Sequence, residues 1–155
     1  MAAGNWMPAY VGIGSNLDDT AVQVRAALDA LARLPDSRLI AQSGLFRNPA
    51  MGPGPQPDFV NAVAGLLTRL PPLQLLDRLL GIERDRGRDR SAGLRWGPRR
   101  IDLDLLVYGD VRMESESLVL PHPGIAVRNF VLFPLLEIAP GLRVPGLGPV
   151  TQLAA

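Results

Sequence analysis

The spacing of apolar residues along this chain runs two, 3.6, two, two, 3.6, two, and that order restricts the fold more than any other feature. Residues 8–14 (PAYVGIG) read as a short buried strand. Asp18 or Asp19 can cap the helix that follows, on which Val24, Ala27, Leu28, Leu31 and Leu34 share one face before Pro35. Residues 38–46 read as a second strand and 59–70 as a third, separated by a loop dense in Pro and Gly, NPAMGPGPQPD. Pro71 and Pro72 suit the first turn of a second helix, which Leu73, Leu76, Leu79 and Leu80 continue toward Gly87. A polar loop over residues 88–100 then leads to a fourth strand. The order β-α-β-β-α-β is that of a ferredoxin-like α+β sandwich, an antiparallel sheet with helices packed on it. From Leu118 onward the chain predicts a loop-rich C-terminal extension around an apolar segment, NFVLFPLLEIAP. At 155 residues a single domain, 1–155, is expected.

The fourth strand lies in RRIDLDLLVYGD, residues 99–110, and carries two carboxylates in its first half. On a strand, Asp102 and Asp104 leave the same face, with Cα atoms about 7 Å apart. Paired carboxylates suit a hard cation, and Mg²⁺ commonly takes one or two of them together with substrate phosphates. A strand end facing solvent explains the pair equally well when it is taken alone. The preceding segment weighs against that blander reading. The chain has no lysine, and seven of its sixteen arginines fall between Arg84 and Arg100. Arg88, Arg90, Arg95, Arg99 and Arg100 crowd the carboxylates. Guanidinium forks beside a metal site match a polyphosphate, although arginines can also simply neutralise acidic neighbours. Trp96, in Trp-Gly-Pro within that loop, reads as a lid or stacking group more readily than as core.

Several function classes drop out. With no cysteine, neither a disulfide nor a thiolate metal site is available. GIGSNL begins like a dinucleotide fingerprint, but Leu17 occupies the third glycine position and no parallel βαβ unit follows. The absence of lysine excludes a Walker-type phosphate loop, and the lone histidine has no G-x-S-x-G partner. A formal net charge of +1 gives no general argument for nucleic acid. No apolar run reaches the roughly 18 residues of a membrane span. A cytoplasmic protein is expected. His122, in PHPG, can donate to a phosphate, although a single histidine is more often structural. Phe59 and Phe130 each open an apolar segment near an asparagine, Asn61 and Asn129, and spacing alone favours a core role for both rings.

These residues resemble the 6-hydroxymethyl-7,8-dihydropterin pyrophosphokinase family. The resemblance runs from Tyr10 to Pro140 and is strongest in RWGPRRIDLD, residues 95–104, with support from DFVNAV, LPHP and FVLFPLLEIAP. It implies transfer of a pyrophosphoryl group from ATP to the pterin hydroxymethyl oxygen, with release of AMP, in folate biosynthesis. It implies that Asp102 and Asp104 hold two Mg²⁺ ions, and that Arg88, Arg90, Arg99, His122 and Arg128 bind phosphate oxygens. Phe59 and Phe130 would sandwich the pterin, with Asn61 and the backbone near Met51 and Gly52 on its polar edge. Glu83 would lie near the nucleotide, and Trp96 in a mobile cover. The family resemblance also implies a monomer acting on small molecules. Ser91 and Gly124 stand where the family pattern favours basic residues. Two other functions remain open on the residues: an Mg²⁺-dependent ATP phosphotransferase with a different acceptor, and a non-catalytic ferredoxin-like binding module, although no RNP-type segment is present.

Overall fold

The computed structural model describes residues 5–16, 20–49, 58–85, 101–125 and 129–154. Its main sheet is built from β1 (Met7–Ser15), β2 (Ser37–Gln42), β3 (Phe46–Asn48), β4 (Phe59–Thr68) and β5 (Asp102–Tyr108). The strands run in the order β2-β4-β1-β5, and β3 also pairs with β4. Every pairing is antiparallel. With β2 and β3 counted as one interrupted strand, this is the ferredoxin-like arrangement expected from the sequence.

The interruption corrects the expectation of a continuous strand over residues 38–46. At Ser43 the backbone N–H donates to the Val63 carbonyl at 2.9 Å, while the Val63 N–H donates to the Ser43 hydroxyl at 2.9 Å. A side chain there takes the place of a backbone acceptor, and the chain turns before pairing resumes at Phe46. At the other edge, β5 stops at Gly109, whose φ of +52° favours glycine.

Helices α1 (Thr20–Ala32) and α2 (Pro72–Asp85) cover one face of the sheet. On α1 the buried side chains are Val24, Ala27, Leu28 and Leu31, the spacing of one helical stripe. On α2 they are Leu75, Leu79, Ile82 and Glu83. These stripes meet Val11, Ile13, Leu66, Leu103 and Leu105 in the larger core. Truncating Leu31 or Leu79, both fully buried, to alanine would cost roughly 2–5 kcal/mol.

The C-terminal extension holds more regular structure than expected. Its apolar segment forms α3 (Asn129–Ile138), with Pro134 inside it. Together with α4 (Val150–Leu153) it builds a second core on the opposite face, from Val63, Leu106, Val107, Leu132, Leu135 and Val150. Two short hairpins, β6 (Met113–Glu114) with β7 (Val119–Leu120) and β8 (Arg143–Val144) with β9 (Gly148–Pro149), complete the extension. On that face α3 packs on β4. No helix among the described residues is long and apolar enough to cross a membrane.

Candidate active site

The strand register gathers the site. Asp102 of β5 lies opposite Gly14 of β1, and Gly14 lies opposite Asn61 of β4. One step along, Asp104 lies opposite Gly12, and Gly12 opposite Val63. Side chains in a cross-strand row leave the same face of a sheet. Two glycines on the middle strand therefore form a floor with no side chains, walled by carboxylates on one side and by Asn61 on the other. Phe59 joins this face two residues before Asn61, and α3 brings Phe130 over it. The result is a cavity of about 690 Å³ lined by Gly12, Gly14, Asn48, Phe59, Asn61, Asp102, Asp104 and Phe130, among others.

The glycine floor leaves little spare space at one point. A Cβ at residue 14 would stand 2.8 Å from Asn61 Oδ1 and 3.7 Å from the Phe59 ring. Asn61 is itself buried, at 7 % exposure. Its Nδ2 donates to Asn48 Oδ1, and Asn48 Nδ2 donates to the Pro49 carbonyl at 3.2 Å. The Asn61 amide is thus held at its nitrogen end within the cavity wall.

His122 sits beside the carboxylates. Its backbone N–H donates to the Leu106 carbonyl on the outer edge of β5 at 2.8 Å. Its Nδ1 accepts the Gly124 backbone N–H at 3.0 Å, so in the neutral ring the proton resides on Nε2. That nitrogen lies 3.9 Å from Asp104 Oδ1. His122 also borders a second cavity, of about 450 Å³, with Arg112, Glu114, Val119 and Leu147 among its other walls. Asp104 is about half exposed.

Glu83, expected near the nucleotide, is held on the α2 side of β5. It is 4 % exposed, and its Oε2 accepts the Leu103 backbone N–H at 2.7 Å. It braces the strand from beneath and does not line either cavity. The remaining sequence-derived site residues, Met51, Gly52, Arg88, Arg90, Trp96, Arg99 and Arg128, lie outside the described residues. The structure therefore brings together Phe59, Asn61, Phe130, Asp102 and Asp104, with His122 at the margin. It adds Gly12, Gly14 and Asn48, which sequence reasoning passed over. Glycines at alternate positions of a strand were the available signal for the first two, since they leave one face bare. Asn48 carried none.

Among the described residues no cluster of three or more His, Asp or Glu side chains could hold a metal. Among the described residues, Asp102 and Asp104 are the carboxylates that line this face. This fits Mg²⁺, which keeps most of its coordination for water and phosphate oxygens, and does not fit a metal caged by protein alone.

Comparison with known proteins gives a consistent result. The family model of 7,8-dihydro-6-hydroxymethylpterin-pyrophosphokinase (HPPK) matches residues 10–140. The 2-amino-4-hydroxy-6-hydroxymethyldihydropteridine pyrophosphokinase of Pseudomonas aeruginosa is 50% identical over 146 residues, covering 94% of this chain and 89% of that one. The enzyme of the same name from Haemophilus influenzae is 43% identical over 145 residues, with the same coverage of both chains. The folic acid synthesis protein fol1 of Schizosaccharomyces pombe is 39% identical over 137 residues, 88% of this chain but only 18% of that protein. In structure, the chain resembles a Plasmodium falciparum HPPK-DHPS bound to pteroate, with TM-score 0.74, 13% identity and 99% of this chain covered. A second HPPK-DHPS in complex with substrates gives TM-score 0.77 at 11% identity over 97% of this chain. The chain spans less than half of either of those two structures, 44% and 43%, and at such identities the likeness speaks for the fold.

Proposed function

The chain belongs to the 7,8-dihydro-6-hydroxymethylpterin-pyrophosphokinase family, and from that premise we propose how its own residues carry the reaction. The protein is a pyrophosphokinase of folate biosynthesis, which transfers a pyrophosphoryl group from ATP to the hydroxymethyl group of the reduced pterin and releases AMP. The observation that carries the assignment of residues is one cavity lined by two aromatic rings, an asparagine and two carboxylates.

Phe59 and Phe130 supply apolar faces for a flat heterocycle, and stacking against them fixes its plane. Asn61 supplies an amide to the heterocycle's polar edge, where adjacent donor and acceptor atoms need a partner offering both. Met51 and Gly52 would add backbone groups to that edge. This fixes the hydroxymethyl oxygen toward the open side of the cavity, where Asp102 and Asp104 stand. Attack on the β-phosphorus then depends on in-line placement and on charge neutralisation more than on a strong base.

Asp102 and Asp104 would hold two Mg²⁺ ions. When bound, the ions neutralise phosphate charge and orient the nucleotide oxygens. The Nε2–H of His122, 3.9 Å from Asp104 Oδ1, would donate to a phosphate oxygen there. Arg88, Arg90, Arg99 and Arg128 would share the remaining charge, with Trp96 in the cover. These five are assigned from the family resemblance, Trp96 and Arg99 within RWGPRRIDLD. We assign Glu83 to bracing β5 and not to contact with the nucleotide. Either aspartate would serve to accept the hydroxyl proton. A single-domain, monomeric, cytoplasmic enzyme needing only ATP, Mg²⁺ and the pterin fits this account.

The division of labour has a direct test. Phe59→Ala and Phe130→Ala should each raise KM for the pterin at least tenfold while changing KM for ATP less than threefold. Equal effects on both substrates would remove the rings from the pterin subsite.

A further inference from the structure

We propose that Asn48 is a positioning residue, which sets the orientation of the Asn61 amide and so tunes the cavity for its heterocycle. The inference rests on the reading of this cavity as the pterin subsite. It begins with the register: Asn48 of β3 lies opposite Phe59 of β4, so Asn48 and Asn61 stand on the same face as diagonal neighbours, within reach of two amide side chains. Asn61 Nδ2 donates to Asn48 Oδ1. The acceptor is itself oriented, because Asn48 Nδ2 is committed to the Pro49 carbonyl at 3.2 Å.

A buried primary amide can usually flip its oxygen and nitrogen at small cost. Here the flip is opposed, because it would set Asn61 Oδ1 against Asn48 Oδ1, two acceptors with no proton between them. Asn61 Oδ1 lies 2.8 Å from where a Cβ on residue 14 would stand, so only glycine leaves that oxygen its position. Asn48 thus fixes the amide, which then meets a ligand with a fixed pattern: one remaining N–H and the lone pairs of its oxygen. A heterocycle edge with the complementary pattern is favoured over its reversed counterpart, and a site built for such a pattern discriminates strongly against ligands that lack it.

The test is a double-mutant cycle read as kcat/KM for 6-hydroxymethyl-7,8-dihydropterin at saturating ATP. Asn48→Ala should lower it about five- to tenfold in the wild-type background, the size of one oriented hydrogen bond. In an Asn61→Ala background the same substitution should lower it less than twofold, because the group through which it acts is gone. Asn48→Asp, which keeps an oxygen acceptor for Asn61, should stay within threefold of wild type. Gly14→Ala should show the same dependence on Asn61 as Asn48→Ala. KM for ATP should move less than twofold in Asn48→Ala. A loss of twofold or more from Asn48→Ala in the Asn61→Ala background, or no loss in the wild-type background, would overturn the proposal. A wild-type enzyme with no pterin-dependent turnover would remove the premise itself, and the proposal with it.

Discussion

The Glu83 carboxylate accepts the Leu103 backbone N–H at 2.7 Å, and Leu103 is the residue between Asp102 and Asp104. Strand β5 is the outer strand of its sheet, so its outward N–H groups find no neighbouring strand at that point. A buried carboxylate from α2 meets one of them instead. The helix thereby fixes the height of the strand at the position from which both site carboxylates project.

Replacing Glu83 by alanine would leave that N–H buried without this acceptor, a loss of about 1–3 kcal/mol in unfolding free energy. Glu83→Gln keeps an oxygen acceptor and should lose less. The alanine variant should also need more Mg²⁺ for half-maximal activity, because Asp102 and Asp104 lose their shared support. Urea titration and an Mg²⁺ activation curve measure both effects. A Glu83→Ala enzyme of unchanged stability but with a raised KM for ATP would instead place this residue on the nucleotide.

His122 is tied twice, through its own backbone N–H to Leu106 and through Nδ1 to Gly124. These ties aim Nε2 at Asp104 without help from a ligand. A donor so prepared contributes about 1.5–3 kcal/mol when its partner is charged. His122→Ala should therefore lower kcat/KM for ATP roughly 10- to 100-fold, with KM for the pterin nearly unchanged. Steady-state kinetics with each substrate varied in turn would show this, and an equal effect on both substrates would count against it.

The order of strands and helices was legible because each segment's apolar spacing is local. Val24, Ala27, Leu28 and Leu31 show the helical stripe without reference to any other part of the chain. The break at Ser43 was not legible, since it depends on Val63, distant in sequence, whose N–H finds the Ser43 hydroxyl in place of a backbone acceptor. Residues 130–136 are all apolar, so no period distinguishes helix from strand there. The site follows the same division. Asp102 and Asp104 declare themselves by alternation within one strand, and the family motif names their neighbours. The role of Glu83 needs an unpaired N–H on an edge strand, and that of Asn48 needs a cross-strand diagonal. Both are relations between distant residues with no local mark.

Tyr108 gives the fold a pH dependence at the alkaline end. Its hydroxyl donates to the Leu70 carbonyl at 2.5 Å, and burial raises its pKa above the ordinary value of 10.0. The neutral form is favoured in the folded state. Its contribution is therefore fully present below about pH 10 and is lost as pH rises through the higher folded-state value. Tyr10 is shifted the same way by burial. Unfolding free energy should fall above pH 10, and Tyr108→Phe should fall less steeply. The variant should start about 0.5–1.5 kcal/mol lower at neutral pH for want of the hydrogen bond. Denaturant titrations at pH 7, 9.5 and 11 would resolve both effects.

The central claim is that the cavity between Phe59, Phe130 and the Asp102–Asp104 pair is where pyrophosphoryl transfer takes place. The most direct measurement is nucleotide product analysis with ATP, Mg²⁺ and 6-hydroxymethyl-7,8-dihydropterin, resolving AMP from ADP for the wild type, Asp102→Ala and Asp104→Ala. The account requires AMP from the wild type only when the pterin and Mg²⁺ are both present. It requires at least a hundredfold loss in each variant, with the folded circular-dichroism spectrum retained. ADP as the product, or AMP formation that survives in either aspartate variant, would contradict it.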